Sequence, residues 1–454
     1  MCESSRANEG LLRVDDGVGS QNADACGCGA SLGSIDQHRN TMILTNCPVC
    51  AAPLPDTSAK QCSRCKTRYC GPACQKQHWE QGHDKLCKKI KKGGGAEQFH
   101  AESKYAESVV VAAKACAEDT KGQTCYICLE VVHSRTGEGL VRGCACGDRD
   151  GVASGRTGVA HVSCLAEQAK ILYAEVEGTN LDDEALNERW DRWHTCGLCK
   201  QRYHGEVLCA LGWACWKTYL GRPETDQTHS MAMNLLGLGL DDAKYYKYAL
   251  SVRRAELSKM QRHGAPAEKI LGIMANIGGT YENLGQLEKG NGIKQLVYAR
   301  SMELYGEESE ETLIAANNYA ESLKGLQRFE EAKALLRKTL PVVRRVFKTE
   351  NDLLPLLMRC IYASALYRAE NATFDDVREA VAMLDELART TRRKFGVAHP
   401  LAVTVAEDLQ NVQGKLRKQE ELEDMGISSL AHAKELLNAM EAMTTGDNPG
   451  PGGA

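Results

Sequence analysis

Two regimes of apolar and polar spacing divide the chain. From about residue 230 to 420, apolar positions recur at helical spacing, and this stretch predicts consecutive amphipathic helices. Asn276-Ile277-Gly278-Gly279-Thr280-Tyr281 aligns with Asn318-Tyr319-Ala320-Glu321-Ser322-Leu323 at an offset of 42 residues. The same step backwards reaches Asn234 in Asn234-Leu235-Leu236-Gly237, and Gly264 maps onto Gly306. A looser third copy runs through Tyr362-Ala363-Ser364-Ala365-Leu366, with extra residues near Ala369–Phe374 breaking the register. A fixed period of helix pairs predicts an all-α solenoid. The small residues Gly278, Gly279, Ala320 and Ala363 suit close approach of paired helices, and Gly264 and Gly306 suit helix ends. Further predicted helices lie near Glu97–Ala117 and over the apolar, aromatic stretch Leu208–Trp216.

The first half follows another logic. Residues 1–46 are polar and Gly-rich and predict a disordered segment, with a weak Cys26-x-Cys28 pair. Residues 421–454 predict a terminal helix and flexible tail. Of 454 residues, 21 are Cys, and beyond residue 230 only Cys360 remains. The polar start is unlike a secretory signal, and no run approaches the roughly 18 apolar residues of a membrane helix. A soluble, intracellular protein of the cytoplasm or nucleus is expected, with reduced thiols available to metal. The net charge of -4 discourages membrane and nucleic-acid partners; the short run Lys88-Lys89-Ile90-Lys91-Lys92 reads as a solvated helix end.

The thiols come in pairs at metal-ligand spacing. Cys47-x2-Cys50, Cys62-x2-Cys65, Cys70-x3-Cys74 and His83-x3-Cys87 supply enough donors for two tetrahedral zinc sites. A segment this short buries too little apolar surface to fold alone, so metal binding supplies folding free energy. The string Tyr69-Cys70-Gly71-Pro72-Ala73-Cys74-Gln75-Lys76-Gln77-His78-Trp79, with Gly82-His83 and Cys87, resembles the MYND finger. That resemblance implies one zinc on Cys47, Cys50, Cys70 and Cys74, and another on Cys62, Cys65, His83 and Cys87. It makes His78 a surface or supporting residue. It also implies docking of a proline-containing peptide, with Gln75 and Trp79 as contact candidates.

The second set runs Cys125-x2-Cys128, Cys144-x-Cys146, His161-x2-Cys164 and Cys196-x2-Cys199. Its order resembles the RING-CH, or RING-variant, finger, whose cross-brace implies Cys125, Cys128, His161 and Cys164 on one zinc and Cys144, Cys146, Cys196 and Cys199 on the other. Four zinc ions per chain are expected, all structural. The 14 residues between Cys146 and His161, and the 31 between Cys164 and Cys196, are longer than in that family, and its usual tryptophan after the His-x2-Cys pair is absent. A RING-type protein holds a ubiquitin-conjugating enzyme for transfer and supplies no nucleophile. The resemblance implies that Ile127 enters the conjugating enzyme's groove, Trp190 or Trp193 packs beside it, and Lys200 contacts ubiquitin.

The helical region resembles the tetratricopeptide repeats of kinesin light chains, through its long period and Phe395-Gly396-Val397-Ala398-His399-Pro400-Leu401; HEAT-like pairs are the alternative. The expected multidomain organisation is a MYND-type finger at 47–87, a linker with a helix at 88–124, a RING-CH-like finger at 125–204, a connector at 205–229 and tetratricopeptide-like repeats at 230–420. Three functions fit: a RING-type E3 ubiquitin ligase whose other parts recruit a protein substrate or peptide, a non-catalytic adaptor, and a PHD-like reader of histone tails.

Overall fold

The computed structural model describes residues 47–50, 52, 54, 60–144, 146, 158–177, 183–347, 349 and 351–424. The segments expected to be disordered at 1–46 and to form the tail beyond 424 lie outside the described residues. The chain divides into two units. One holds the segments 1–141, 160–194 and 204–273; the other holds 142–159, 195–203 and 274–454.

In the first unit, β1 (Lys60–Gln61) pairs antiparallel with β2 (Arg68–Tyr69), placing Lys60 opposite Tyr69. Helix α1 (Pro72–His78) starts with proline at its first turn, where the missing N–H costs nothing. It runs through a π-helical turn, Trp79–His83, into α2 (Asp84–Lys92). Gly82 makes that passage at φ 107°, a conformation that favours glycine. The core here is Cys47, Leu54, Cys62, Cys65, Tyr69, Cys74, Cys87, Ile90 and Ala96, so most of it is thiol.

Helix α3 (Ala96–Ala115) covers the predicted linker helix. Short strands β3 (Val141–Arg142) and β4 (Val159–Ala160) pair, and α4 (Val162–Ala174) and α5 (Asp183–Trp190) follow. The apolar stretch after the second finger forms α6 (Gly205–Tyr219), buried along most of its length and packed on α3 and α7 (Gln227–Asp242). Backbones meet closely at the α6–α7 crossing. A Cβ on Gly239 would stand 2.7 Å from the Leu208 carbonyl, and one on Gly212 3.1 Å from the Leu235 carbonyl. Asp226 caps α7 by accepting from the Thr228 N–H at 2.7 Å.

Helix pairing then continues with α8 (Tyr246–Arg262), α9 (Ala267–Asn283), α10 (Leu287–Tyr305), α11 (Glu310–Gly325), α12 (Phe329–Val346), α13 (Leu353–Arg368), α14 (Phe374–Phe395) and α15 (Pro400–Asp424). The second unit's core lies between the helices from α11 to α15, around Leu313, Leu336, Leu356, Leu366, Leu384 and Val405. Ser309 caps α11, and Thr373 with Asp376 forms a capping box at α14.

The turns inside successive helix pairs share one geometry. Lys244, Gly285 and Gln327 all have positive φ, and the next N–H bonds back five residues, Tyr245 to Leu240, Gln286 to Tyr281 and Arg328 to Leu323. These turns fall 41 and then 42 residues apart, so the structural partner of Asn276 is Leu235, one place from the sequence alignment. The corrected register exposes a repeated device. Arg253 pairs with Asp241 at 2.6 Å, and 41 residues on Lys294 pairs with Glu282 at 2.5 Å; both cations are buried. Gly237 and Gly278 supply the space, since a Cβ would stand 3.4 Å from the Arg253 stem and 3.1 Å from the Lys294 stem. Gly279 has no neighbour within 4 Å of an added Cβ, so it is not a close-approach residue; Ala320 and Ala363 are fully buried, as close packing requires. Gly264 and Gly306 end α8 and α10 at φ 63° and 79°.

Candidate metal centres

Each of four sets of thiols and imidazoles brings its donor atoms within 4.8 Å of one another: Cys47, Cys50, Cys70, Cys74; Cys62, Cys65, His83, Cys87; Cys125, Cys128, His161, Cys164; and Cys144, Cys146, Cys196, Cys199. Sulfur separations are 3.4 Å for Cys50–Cys70 and Cys70–Cys74, 3.7 Å for Cys62–Cys87 and 3.6 Å for Cys146–Cys196. Disulfides would need about 2.05 Å. A tetrahedron with Zn–S bonds of about 2.3 Å has edges near 3.8 Å, so the donor sets fit zinc. Four such sites are possible, two of them inside the MYND segment.

The same hairpin shapes three of the donor pairs. In Cys62-x2-Cys65, Cys125-x2-Cys128 and Cys196-x2-Cys199, the residue after the second cysteine takes positive φ (Lys66, Leu129, Lys200). Its N–H donates to the first cysteine's carbonyl at 2.9 Å in all three. The first cysteine's N–H donates five residues on, to Thr67, Glu130 and Gln201, at 2.8 to 3.0 Å. The hairpin thereby aims a sulfur pair at one point. Residues 133–138 copy the hairpin without thiols: His133 N–H donates to Glu138, Gly137 N–H to His133, and Gly137 sits at φ 70°. Here Thr136 donates to His133 Nδ1 at 2.9 Å, closing the turn by a hydrogen bond.

The two histidines face their clusters through different nitrogens. His83 presents Nε2, 3.3 Å from Cys65 Sγ. His161 presents Nδ1, 3.3 Å from Cys128 Sγ and 3.7 Å from Cys164 Sγ, while Nε2–H donates to the Val131 carbonyl at 3.4 Å. That bond fixes the tautomer which leaves Nδ1 free as a ligand. His78 is half-buried: Tyr69 Oη lies 3.0 Å from its Nδ1, and its ring centroid lies 4.6 Å from that of His83. It supports a ligand and is not one itself.

Crowded thiols cannot all ionise without a cation. Burial raises Cys62, but the Cys65 backbone N–H and His83 outweigh it and bring it down to about 6. Burial and the Cys50 sulfur push Cys70 up to about 11, and burial and Cys62 push Cys87 up to about 12. Hydrogen bonds from Cys144 and Cys146 drive Cys196 far down, while those with Cys146 and Cys196 drive Cys144 far up. A divalent cation removes the conflict. Gly158 completes this last site: a Cβ there would stand 2.8 Å from Cys144 Sγ, 3.0 Å from Cys196 Sγ and 3.3 Å from Cys146 Sγ. No motif marked it in the sequence.

The contact candidates separate. Trp79 is 49% exposed and leans on the His83 ring, while Gln75 is half-buried with its amide 3.5 Å from the Gln61 carbonyl. Lys200 is exposed and Ile127 half-buried. Trp190 and Trp193 are corrected: both are buried, in an aromatic cluster with Tyr173 and Tyr219, and neither offers a surface. Beside Ile127 the structure instead exposes Leu129 at 74%, Val131 at 59% and Val132 at 57%.

Comparison with known proteins agrees for two segments. Residues 47–87 match the MYND finger and residues 312–351 match a tetratricopeptide repeat. No curated protein matches the chain. Among solved structures, it is similar to a kinesin light chain with nearly identical TPR-like repeats from Podosopora anserina (15% identity, 47% of this chain and 95% of that one, TM-score 0.35). It is also similar to BtubC (BKLC) from P. vanneervenii (16%, 64% and 96%, 0.34) and to a Rap protein complexed with competence and sporulation factor (14%, 60% and 77%, 0.37). The architecture, zinc finger plus tetratricopeptide repeats, is that of a protein-interaction adaptor.

Proposed function

We propose that this adaptor is a RING-type ubiquitin ligase, with residues 125–199 receiving a ubiquitin-conjugating enzyme and the MYND finger and repeats recruiting a protein substrate or peptide. The observation that carries the reading is the second finger itself. Its ligand pairs alternate between two clusters along the chain, and on one of them Leu129, Val131 and Val132 stand exposed beside half-buried Ile127. Leu129, whose left-handed backbone at φ 65° closes the Cys125 hairpin, leaves its large apolar side chain 74% exposed. Such a finger works by holding and orienting the charged conjugating enzyme, so its working residues are contacts and not acids or bases. In the MYND finger, exposed Trp79 is the residue proposed to meet a peptide.

A second reading, the non-catalytic adaptor, is favoured by the burial of Trp190 and Trp193, which removes the aromatic wall expected beside Ile127. Autoubiquitination of the purified chain with a panel of conjugating enzymes separates the two. The ligase reading expects chains with wild type and their loss in Ile127→Ala and Leu129→Ala at unchanged zinc content. Zinc-replete protein silent across the panel would leave the adaptor.

A further inference from the structure

The whole-chain charge of -4 conceals a sharp local asymmetry. Residues 47–92 contain ten Lys and Arg against three Asp and Glu. Half of those cations lie on α2, at Lys85, Lys88, Lys89, Lys91 and Lys92, and all five are exposed. Four of these sit beyond residue 87, where the match to the MYND finger ends.

Their positions are not scattered. Lys85, Lys88, Lys89 and Lys92 follow i, i+3, i+4, i+7 spacing, which puts them on one helix face. Cys87 and Ile90, the buried residues of α2, occupy the opposite face. The stripe is therefore held outwards by the zinc cluster and core beneath it. It spans eight residues, whose seven rises of about 1.5 Å make about 10 Å. Like charges at these spacings destabilise a helix. The helix dipole favours Lys89 and Lys92 in the last turn but not Lys85 in the first. None of the four forms an ion pair with another described residue.

Three physical points select the partner. A membrane-surface helix needs a free apolar face, and that of α2 is occupied by Cys87 and Ile90. Protein interfaces are depleted in lysine and rely on aromatic and arginine anchors, and this stripe has neither. Lysine is a compact, hydrated point charge, suited to phosphate contacts without base readout. Ten ångströms covers about three nucleotides of one strand at 3.4 Å each.

We propose that the lysine face of α2 binds the phosphate backbone of nucleic acid, without sequence preference. The inference stands apart from the ligase reading, since it uses no residue of the second finger.

The test is fluorescence anisotropy of the full-length, zinc-replete chain with mixed-sequence duplex DNA across a salt series. Four contacts predict a slope of log K against log salt near -3.6, or roughly a 150-fold loss of affinity between 50 and 200 mM. Lys85, Lys88, Lys89 and Lys92 changed together to Gln should abolish binding at 50 mM salt while leaving zinc content unchanged. A control with the same charge change on exposed Lys114, Lys121, Lys269 and Lys338 should retain most of it. The proposal is overturned if wild type does not bind at 50 mM salt, or if the two quadruple variants behave alike. It is equally overturned if anionic vesicles or a poly-glutamate peptide bind more tightly than DNA at matched salt.

Discussion

Gly158 shows how much can rest on one hydrogen atom in place of a methyl group. Three sulfurs of the Cys144 cluster crowd the place where its Cβ would stand, and none can retreat without distorting a tetrahedron. Gly158→Ala should therefore lose one zinc, lowering native-mass stoichiometry from four to three, with the MYND pair retained. Four zincs in the variant would mean the donor set tolerates the extra volume. His229 is a second position where one atom matters. It is buried against the Trp216 ring, with Lys259 Nζ 3.1 Å from its Nδ1. Burial first, then the Lys259 charge, hold its imidazole down to about 4 from 6.5. The unfolded chain thus takes up that proton before the folded one. The contribution is fully present above about pH 6.5 and is lost as pH falls towards 4, by up to roughly 3 kcal/mol. Glu256, raised to about 8 chiefly by burial, acts with the opposite sign. Replacing His229 with Gln should flatten the dependence of the urea midpoint on pH between 6.5 and 4; an unchanged slope would remove His229 from the acid response.

At the scale of elements, spacing made some features legible and tertiary context hid others. A Cys-x2-Cys hairpin is a local object, so its thiols could be read off the sequence, including which pairs the two resemblances would join. The His133–Thr136 turn has the same backbone and no signal, because its closing bond is between two unremarkable side chains. The burial of Trp190 and Trp193 left no mark in the sequence, because it depends on Tyr173 and Tyr219, which arrive from other helices. The repeat was visible, but its first step is 41 residues, and only the turn hydrogen bonds fix it. With that register, the α9–α10 crossing makes a paired prediction. A Cβ on Gly290 would lie 2.4 Å from Glu282 Cγ and 2.6 Å from the Gly278 carbonyl, whereas one on Gly279 meets nothing. Gly290→Ala should cost about 1–3 kcal/mol through overpacking and disturb the Lys294–Glu282 pair. Gly279→Ala should be neutral or stabilising by up to about 1 kcal/mol, from helix propensity alone. Thermal midpoints of both variants test the crossing, and equal shifts would refute it.

For the whole molecule, the question is what metal sustains and what it does not. The core of residues 47–96 is largely its own cysteines, so without zinc it is a set of crowded thiols with little apolar surface. The helices from α11 to α15 bury a continuous, mostly aliphatic core whose one thiol among the described residues is the buried Cys360. Gln201, two residues after Cys199, ties them to a thiol hairpin: its side-chain amide donates to the Phe395 carbonyl at 2.5 Å, at the end of α14. Chelation should therefore act in a graded way. Amides of the hairpins at 62–67, 125–130 and 196–201 should lose protection from hydrogen exchange first. The C-terminal turn of α14 should loosen next, as the Gln201 bond goes. Amides in α13 should stay protected, and far-UV helicity should fall only modestly. Hydrogen exchange with mass-spectrometric readout, with and without chelator, resolves the three classes. Collapse of α13 together with the hairpins would make zinc a requirement for the entire solenoid. Persistence of the hairpins would show that their backbone bonds, and not the metal, hold them.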